Sequence, residues 1–279
     1  MRLSELGEFG LLAELERRGL ARGIADDAAQ LGAGLVVTQD ALLEGVHFRL
    51  DWTTHRELGY KAAAVNLSDL AASGADPEAL LVTLSAPPET SVDDVLELYE
   101  GLNEPGVPVV GGDTTRAELL TIAVTAIGRS ERVPGRAGAQ PGDFLVVTGP
   151  LGGAGAAFRE GKHARPPLRL EDGRRLAADA HALIDISDGL AADAGHIADR
   201  SDCRLEIDLE RVPLAPSATH EDLGFGEDYE LLAATPDPVD YAVIGRCEEG
   251  NGVEIRLAGD PVALSGWDHF AGRGAGHLR

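Results

Sequence analysis

The sequence is short of lysine, cysteine and aromatic residues, and each shortage removes a class of protein. Lys61 and Lys162 are the only lysines among 279 residues, beside 22 arginines. Together these 24 cations face 47 acids, a formal net charge of −23. So negative a chain repels phosphate backbones and anionic headgroups, which argues against general nucleic-acid binding and against attachment to a membrane surface. Cys203 and Cys247 are too few for a disulfide scaffold and form no CxxC pair, so a reducing compartment is expected. No apolar run approaches the roughly 18 residues of a membrane helix. The stretch from Met1 to Phe9 carries charges instead of an apolar signal core. The expectation is a soluble cytoplasmic protein. Familiar catalytic signatures are missing as well. No HExxH or zinc spacing accompanies the eight histidines, and no GxSxG elbow supports acyl transfer. Gly161-Lys162 is followed by His163, so it is no P-loop.

Hydrophobic residues make up 44% of the chain, enough for a sizeable core. The length suits one large domain or two medium ones. The acid excess resembles proteins of a high-salt cytoplasm, where dense salt screens self-repulsion. GC-rich codon usage explains arginine over lysine but leaves the acid excess unexplained.

Periodicity predicts helices over Ser4–Arg18, Leu58–Ala72, Val92–Leu102, Leu170–Leu183 and Leu190–Arg200. Strands are expected at Leu35–Thr38, Ala79–Leu84, Val107–Val110, Leu119–Ile127, Phe144–Thr148, Leu205–Leu209, Tyr229–Ala233, Tyr241–Ile244 and Val253–Leu257. A glycine-rich turn at 149–155 leads into a helix and offers backbone N–H groups to phosphate, or is simply a tight turn. The Gly/Pro/Ala-rich stretch 132–142 reads as a linker. The fold class is therefore α/β (or α+β) in two lobes, 1–133 and 134–279, without a sequence repeat.

The chemistry-bearing signal is acid set among apolar or glycine neighbours. Asp27, Asp40, Asp69, Asp113, Asp185 and Asp188 all have this setting. Singly, such residues read as caps or turn formers; Asp113 fits a turn and Asp188 an N-cap. Together they are costly to bury unless paired, hydrogen-bonded or bound to metal. Two lysines cannot neutralise six acids. Mg²⁺, which takes carboxylate oxygens and bridges to substrate phosphates, is the natural counterion, and the set suits nucleotide phosphoryl transfer. His47 alone reads as structural.

Seven segments lie in one family's order: Gly23–Ala29, Thr38–Asp40 with Glu44–Phe48, Lys61–Ala75 (KAAAVNLSDLAASGA), Gly111–Arg116 (GGDTTR), Asp185–Leu190 (DISDGL), Gly226–Leu231 (GEDYEL) and Gly266–Phe270 (GWDHF). On these, the sequence resembles the thiamine-monophosphate kinase family of the aminoimidazole-ribonucleotide synthase-like superfamily, nearly end to end. The resemblance implies a homodimer whose N-terminal lobes pair into a β-barrel, with ATP and metals between lobes. It implies transfer of the ATP γ-phosphoryl to thiamine monophosphate. By motif, Asp27, Thr38, Asp40, Asp69, Asp113 and Asp185 hold Mg²⁺, and Asp188 holds a further ion. Gly112, Asp113, Arg136 and Ser187 touch ATP. His47, Glu227 and Trp267 line the thiamine-phosphate site, and Asp40, Asp113 and Arg136 carry catalysis. Three departures stand out: Gln39 replaces a small hydroxyl residue, Asn103–Gly106 is shortened, and Phe225-Gly226 replaces a glycine pair. The alternatives are another ATP-using enzyme of the superfamily, or a nucleotide- or metal-binding relative without turnover. Absence of a cysteine in the first 40 residues weakens a selenophosphate synthetase, and an end in Gly-His-Leu-Arg weakens a hydrogenase-maturation protein.

Overall fold

The computed structural model describes residues 2–24, 26–238, 240–264, 266–267 and 270. Two mixed sheets divide the chain. The first runs β1(Ala29–Gly32), β2(Leu35–Leu43), β3(Asp76–Ala86), β4(Val109–Arg116) and β5(Thr121–Arg129), in the order β1-β2-β5-β3-β4. Only β3 and β4 are parallel, and α3(Val92–Asn103) makes that crossover. The second sheet contains β6(Phe144–Val147), β7(Ala182–Asp185), β8(Arg204–Asp208), β9(Leu231–Thr235), β10(Ala242–Glu248), β11(Gly252–Leu257) and β12(Asp260–Val262), ordered β12-β11-β8-β10-β6-β9-β7.

The element that joins them is α2(His55–Ala72). Thr54 caps it: the Thr54 hydroxyl accepts from the Glu57 N–H, and the Glu57 carboxylate accepts from the Thr54 N–H at 3.0 Å. Fourteen of its eighteen residues are buried, because it is covered on more than one side. Leu58, Ala62, Val65, Leu67 and Leu70 pack with Val36, Val82, Ile122 and Val124 of the first sheet. Ala71 and Ala72 pack with Leu176, Ala177 and Leu183 of the C-terminal half. α5(Leu170–Asp179) comes so close that a Cβ on Gly173 would lie 2.1 Å from the Ala71 carbonyl oxygen. A core of Leu145, Ile184, Leu190, Ile197 and Ile207 lies between the second sheet and α6(Leu190–Ser201).

Several expected bounds shift. The helix foreseen to Leu183 stops at Asp179, and Ala182–Asp185 is a strand buried at every position. A short apolar run looks alike in a buried strand and a buried helix. The strand foreseen from Tyr229 begins at Leu231, because Tyr229 has φ +52°. Expected Val107–Val110 proves to be Val109–Arg116, taking in the whole GGDTTR segment. Gly112 there has φ +146°, and a Cβ would come 1.8 Å from the Val82 carbonyl oxygen. The strand thus exists only because glycine lets its backbone lie against β3. α1(Leu3–Arg17) is kinked at Gly7, with φ +73°. No helix among the described residues is long and apolar enough to cross a membrane.

Candidate active site in the cleft between the two sheets

A cavity of about 390 Å³ opens between the sheets, its floor acidic and its rim partly aromatic. α2 supplies the floor. Asn66, Ser68 and Asp69 sit within one turn of each other, and each supports the cluster. The Asn66 side chain accepts from the Asp40 N–H at 2.9 Å. Ser68 donates to Asp185 at 2.6 Å. Asp69 accepts from the Thr38 hydroxyl at 2.5 Å. Asp185, at the end of β7, is 2% exposed. Asp27 comes from the loop before β1, with a side chain 4% exposed. One carboxylate oxygen from each of Asp27, Asp69 and Asp185 lies within 4.8 Å of the others.

Burial pushes all three carboxyls up, well above the usual range for Asp69 and Asp185. Asp40 stands close enough to raise both of those further. Arg136 is the cation at this floor. Its guanidinium meets Asp27 at 2.5 and 3.1 Å, and the Arg136 backbone N–H donates to the Asp26 carboxylate at 2.9 Å. One arginine against four acids leaves a surplus of negative charge. The donors are carboxylate and hydroxyl oxygens, a hard set that fits a hard divalent cation.

A second group adjoins the first. Asp188, Asp193 and His196 bring ligand atoms within 4.8 Å of one another. Asp193 is 1% exposed, accepts from the Asp188 N–H, and is pushed well above the usual carboxylate range by burial and by Asp188. Burial holds His196 down to about 4, so its ring is neutral. The sequence reading missed Asp193 and His196, although 188, 193 and 196 carry a signal. Asp193 and His196 are one helical turn apart, just after the Ser-Asp-Gly turn.

The far wall is formed by His47, Glu227 and Trp267, all lining the same cavity. The His47 Nδ1 accepts from the Leu43 N–H at 3.0 Å, which places its proton on Nε2. Glu227 follows Gly226, where a Cβ would lie 2.2 Å from the Ser187 carbonyl oxygen, and that oxygen accepts the Glu227 N–H at 2.8 Å. The GEDYEL segment is thereby pressed onto the DISDGL turn. The Trp267 N–H donates to the Asp188 carbonyl; the neighbouring Asp268 and His269 of the GWDHF motif lie outside the described residues. Gln39, Phe158 and Phe225 also line the cavity, the last two rings 4.9 Å apart.

Two expectations fare differently. The glycine-rich turn is not free to take phosphate. The Asp228 carboxylate already accepts the Gly152 N–H at 2.7 Å and the Ala154 N–H at 3.3 Å, at the start of α4(Gly153–Arg159). Gly112 and Asp113 do not line the cavity; both are exposed on β4. Asp113 pairs with Thr83, and so shares the face opposite Val82 and Leu84, which are buried against α2. Asp40 lies on the α2 face with Val36, Thr38 and Leu42. Three ladder steps of about 4.8 Å separate β2 from β4, about 14 Å in all. Within one chain, then, Asp27, Thr38, Asp40, Asp69, Arg136, Asp185, Ser187, Asp188, His47, Glu227 and Trp267 share one cleft, and Gly112 and Asp113 stand apart.

Comparison with known proteins gives concordant results. The AIR synthase related protein N-terminal domain family matches residues 25–130, and its C-terminal domain family matches residues 140–259. The thiamine-monophosphate kinase of Aquifex aeolicus (strain VF5) is 35% identical over 309 residues, covering 97% of this chain and 100% of that protein. The namesake of Escherichia coli (strain K12) is 35% identical, covering 95% and 98%. Among solved structures, AaThiL complexed with AMPPCP and TMP superposes with a TM-score of 0.87 at 34% identity, covering 96% of this chain and 99% of that one. The hydrogenase maturation protein HypE in complex with ATP shares the fold at 20% identity and a TM-score of 0.70.

Proposed function

The chain belongs to the thiamine-monophosphate kinase family, and from that premise we propose how its cleft performs the family's reaction. The protein is an ATP-dependent kinase that phosphorylates thiamine monophosphate to thiamine diphosphate, the closing step of thiamine diphosphate synthesis. The observation that carries the reading is the convergence of Asp27, Asp69 and Asp185 beneath the His47–Glu227–Trp267 wall.

The acceptor is a phosphate whose second pKa lies near 6. It is already a nucleophile at neutral pH, so no general base is needed. Bringing two phosphate groups to an acidic floor is repulsive; Asp27, Thr38, Asp40, Asp69 and Asp185 would hold Mg²⁺, with Asp188 holding a further ion, and the bound ions would supply the neutralising charge. The residues themselves align the reactants. Ser187 and Arg136 meet the nucleotide, and Arg136 carries positive charge towards the migrating γ-phosphoryl. His47 and Glu227 orient thiamine monophosphate, and the Trp267 ring offers its face to the thiazolium cation. Domains 1–133 and 134–279 both line the cleft that takes the two substrates.

The place of Asp113 favours a homodimer in this scheme. β1 covers β2 only as far as Val37, so Thr38–Leu43 has no strand neighbour on that side among the described residues. β4 is the opposite edge; Val110 is exposed on it and Leu81 beside it on β3, and Leu43 is exposed on β2. Pairing β4 of one subunit with β2 of its partner closes the two sheets into a barrel and brings the strand of Gly112 and Asp113 alongside the strand of Asp40. Asp113 then serves catalysis, metal and ATP from across the interface.

Incubation with ATP, Mg²⁺ and thiamine monophosphate tests the activity; thiamine diphosphate is the expected product, and turnover of an aminoimidazole precursor instead would overturn it. Mixed, refolded Asp40→Asn and Asp113→Asn subunits test the barrel. Each variant alone is nearly inactive. The mixture regains roughly a quarter of wild-type turnover, because half the dimers hold one intact site of two. No recovery would place Asp113 in its own subunit's cleft.

A further inference from the structure

Lys61 is the buried lysine of this chain: 4% of it is exposed, against a well-exposed Lys162 that pairs with Glu160. Its ammonium stands 2.8 and 2.9 Å from the two Glu227 carboxylate oxygens and 3.0 Å from the His47 carbonyl oxygen. All three N–H donors are therefore used. They reach two segments on opposite sides of the cleft wall, the turn after β2 and the loop before β9. Neither is held by a helix or a sheet ladder. Glu227 has φ +57° and Tyr229 φ +52°, conformations a non-glycine side chain keeps only when its surroundings hold it.

Composition points the same way. Arginine fills 22 of the 24 Lys and Arg positions, yet lysine stands here. A guanidinium presents a flat fork, whereas three acceptors grouped about one nitrogen suit a tetrahedral ammonium. Lys61 lines a smaller adjoining cavity of about 200 Å³ but not the main one, so towards the main cleft it acts through the groups it holds.

We propose that Lys61 is a positioning residue for the thiamine-phosphate pocket: its ammonium sets the spacing between the Glu227 carboxylate and the His47 turn, and arginine cannot replace it. This rests on the reading of the cleft given above. Wild-type turnover of thiamine monophosphate is measured first, and its absence sinks that reading whatever Lys61 does. Given turnover, Lys61→Met and Lys61→Arg raise KM for thiamine monophosphate at least about tenfold and leave KM for ATP within about twofold. Glu227→Gln gives the same selective rise. The double variant Lys61→Met with Glu227→Gln is no worse than the weaker single one, since both remove one unit. Unchanged kinetics in Lys61→Arg, parallel rises in both KM values, or full additivity would each overturn the proposal. Should Lys61→Met not fold, Lys61→Arg and Glu227→Gln carry the comparison, the Glu227 side chain being 25% exposed.

Discussion

A carboxylate that leaves water without a partner loses several kcal/mol of hydration, by order of magnitude. Asp69 and Asp185 keep one hydroxyl donor each, Thr38 and Ser68, yet burial and the neighbouring acids push both carboxyls up. The consequence is an opposition between stability and activity at single residues. Asp69→Asn is expected to raise the melting temperature of the ion-free protein, because it removes a repelling charge, and to lower turnover by about a hundredfold or more. Calorimetry and a kinetic assay on the same preparation check both halves. The pH dependence follows by sign. A carboxyl whose folded pKa lies above its unfolded value binds its proton more tightly when folded; the stability it contributes is present below the unfolded pKa and is lost as pH rises through the folded one. Mg²⁺ held by these carboxylates would compete with those protons. Its stabilising shift in melting temperature is therefore expected to be larger at about pH 8 than at about pH 5.5. An equal shift at both would disconnect the ion from these residues.

At the scale of elements, α2 braces the site. Lys61, Asn66, Ser68 and Asp69 project from one helix towards β2, β7 and the Glu227 loop. Its N-terminal cap holds that frame in register. Thr54→Ala is expected to cost about 1 kcal/mol of stability, read by denaturant melts, with the fold retained. The Gly112 approach to β3 is less forgiving. Gly112→Ala forces a Cβ against the Val82 carbonyl, so β4 must shift away from β3. Loss of turnover with a lowered melting temperature is the expected result; wild-type behaviour would mean that β4 can move away from β3 without cost. The helix α2 was readable from its Ala/Leu periodicity and strand β5 from its alternation. β4 was readable only at its start, where the expected strand Val107–Val110 overlaps it, because Gly-Gly-Asp is poor in strand propensity and is ordered by its neighbour. The β7 run was misassigned for want of any period to read.

For the whole molecule, a net charge of −23 on 279 residues means strong self-repulsion at low ionic strength. Added KCl is expected to raise both melting temperature and activity into the molar range, where screening acts over a few ångströms. A melting temperature that falls steadily with salt would argue that the acid excess has no such role.

Sequence alone determined the chemistry of the residues and their order: which segments carry acids in apolar settings, which glycines stand beside them, and the family these belong to. That information is local, held in residue type and spacing. Tertiary structure decided which acids meet. It joined Asp27, Asp69 and Asp185 across more than a hundred residues, drew in Asp193, His196 and Lys61, and kept Asp113 on the far face of a sheet. The reason is physical. Strand order and the alternation of faces are set by the packing of whole elements around α2, and no short stretch of chain contains that geometry.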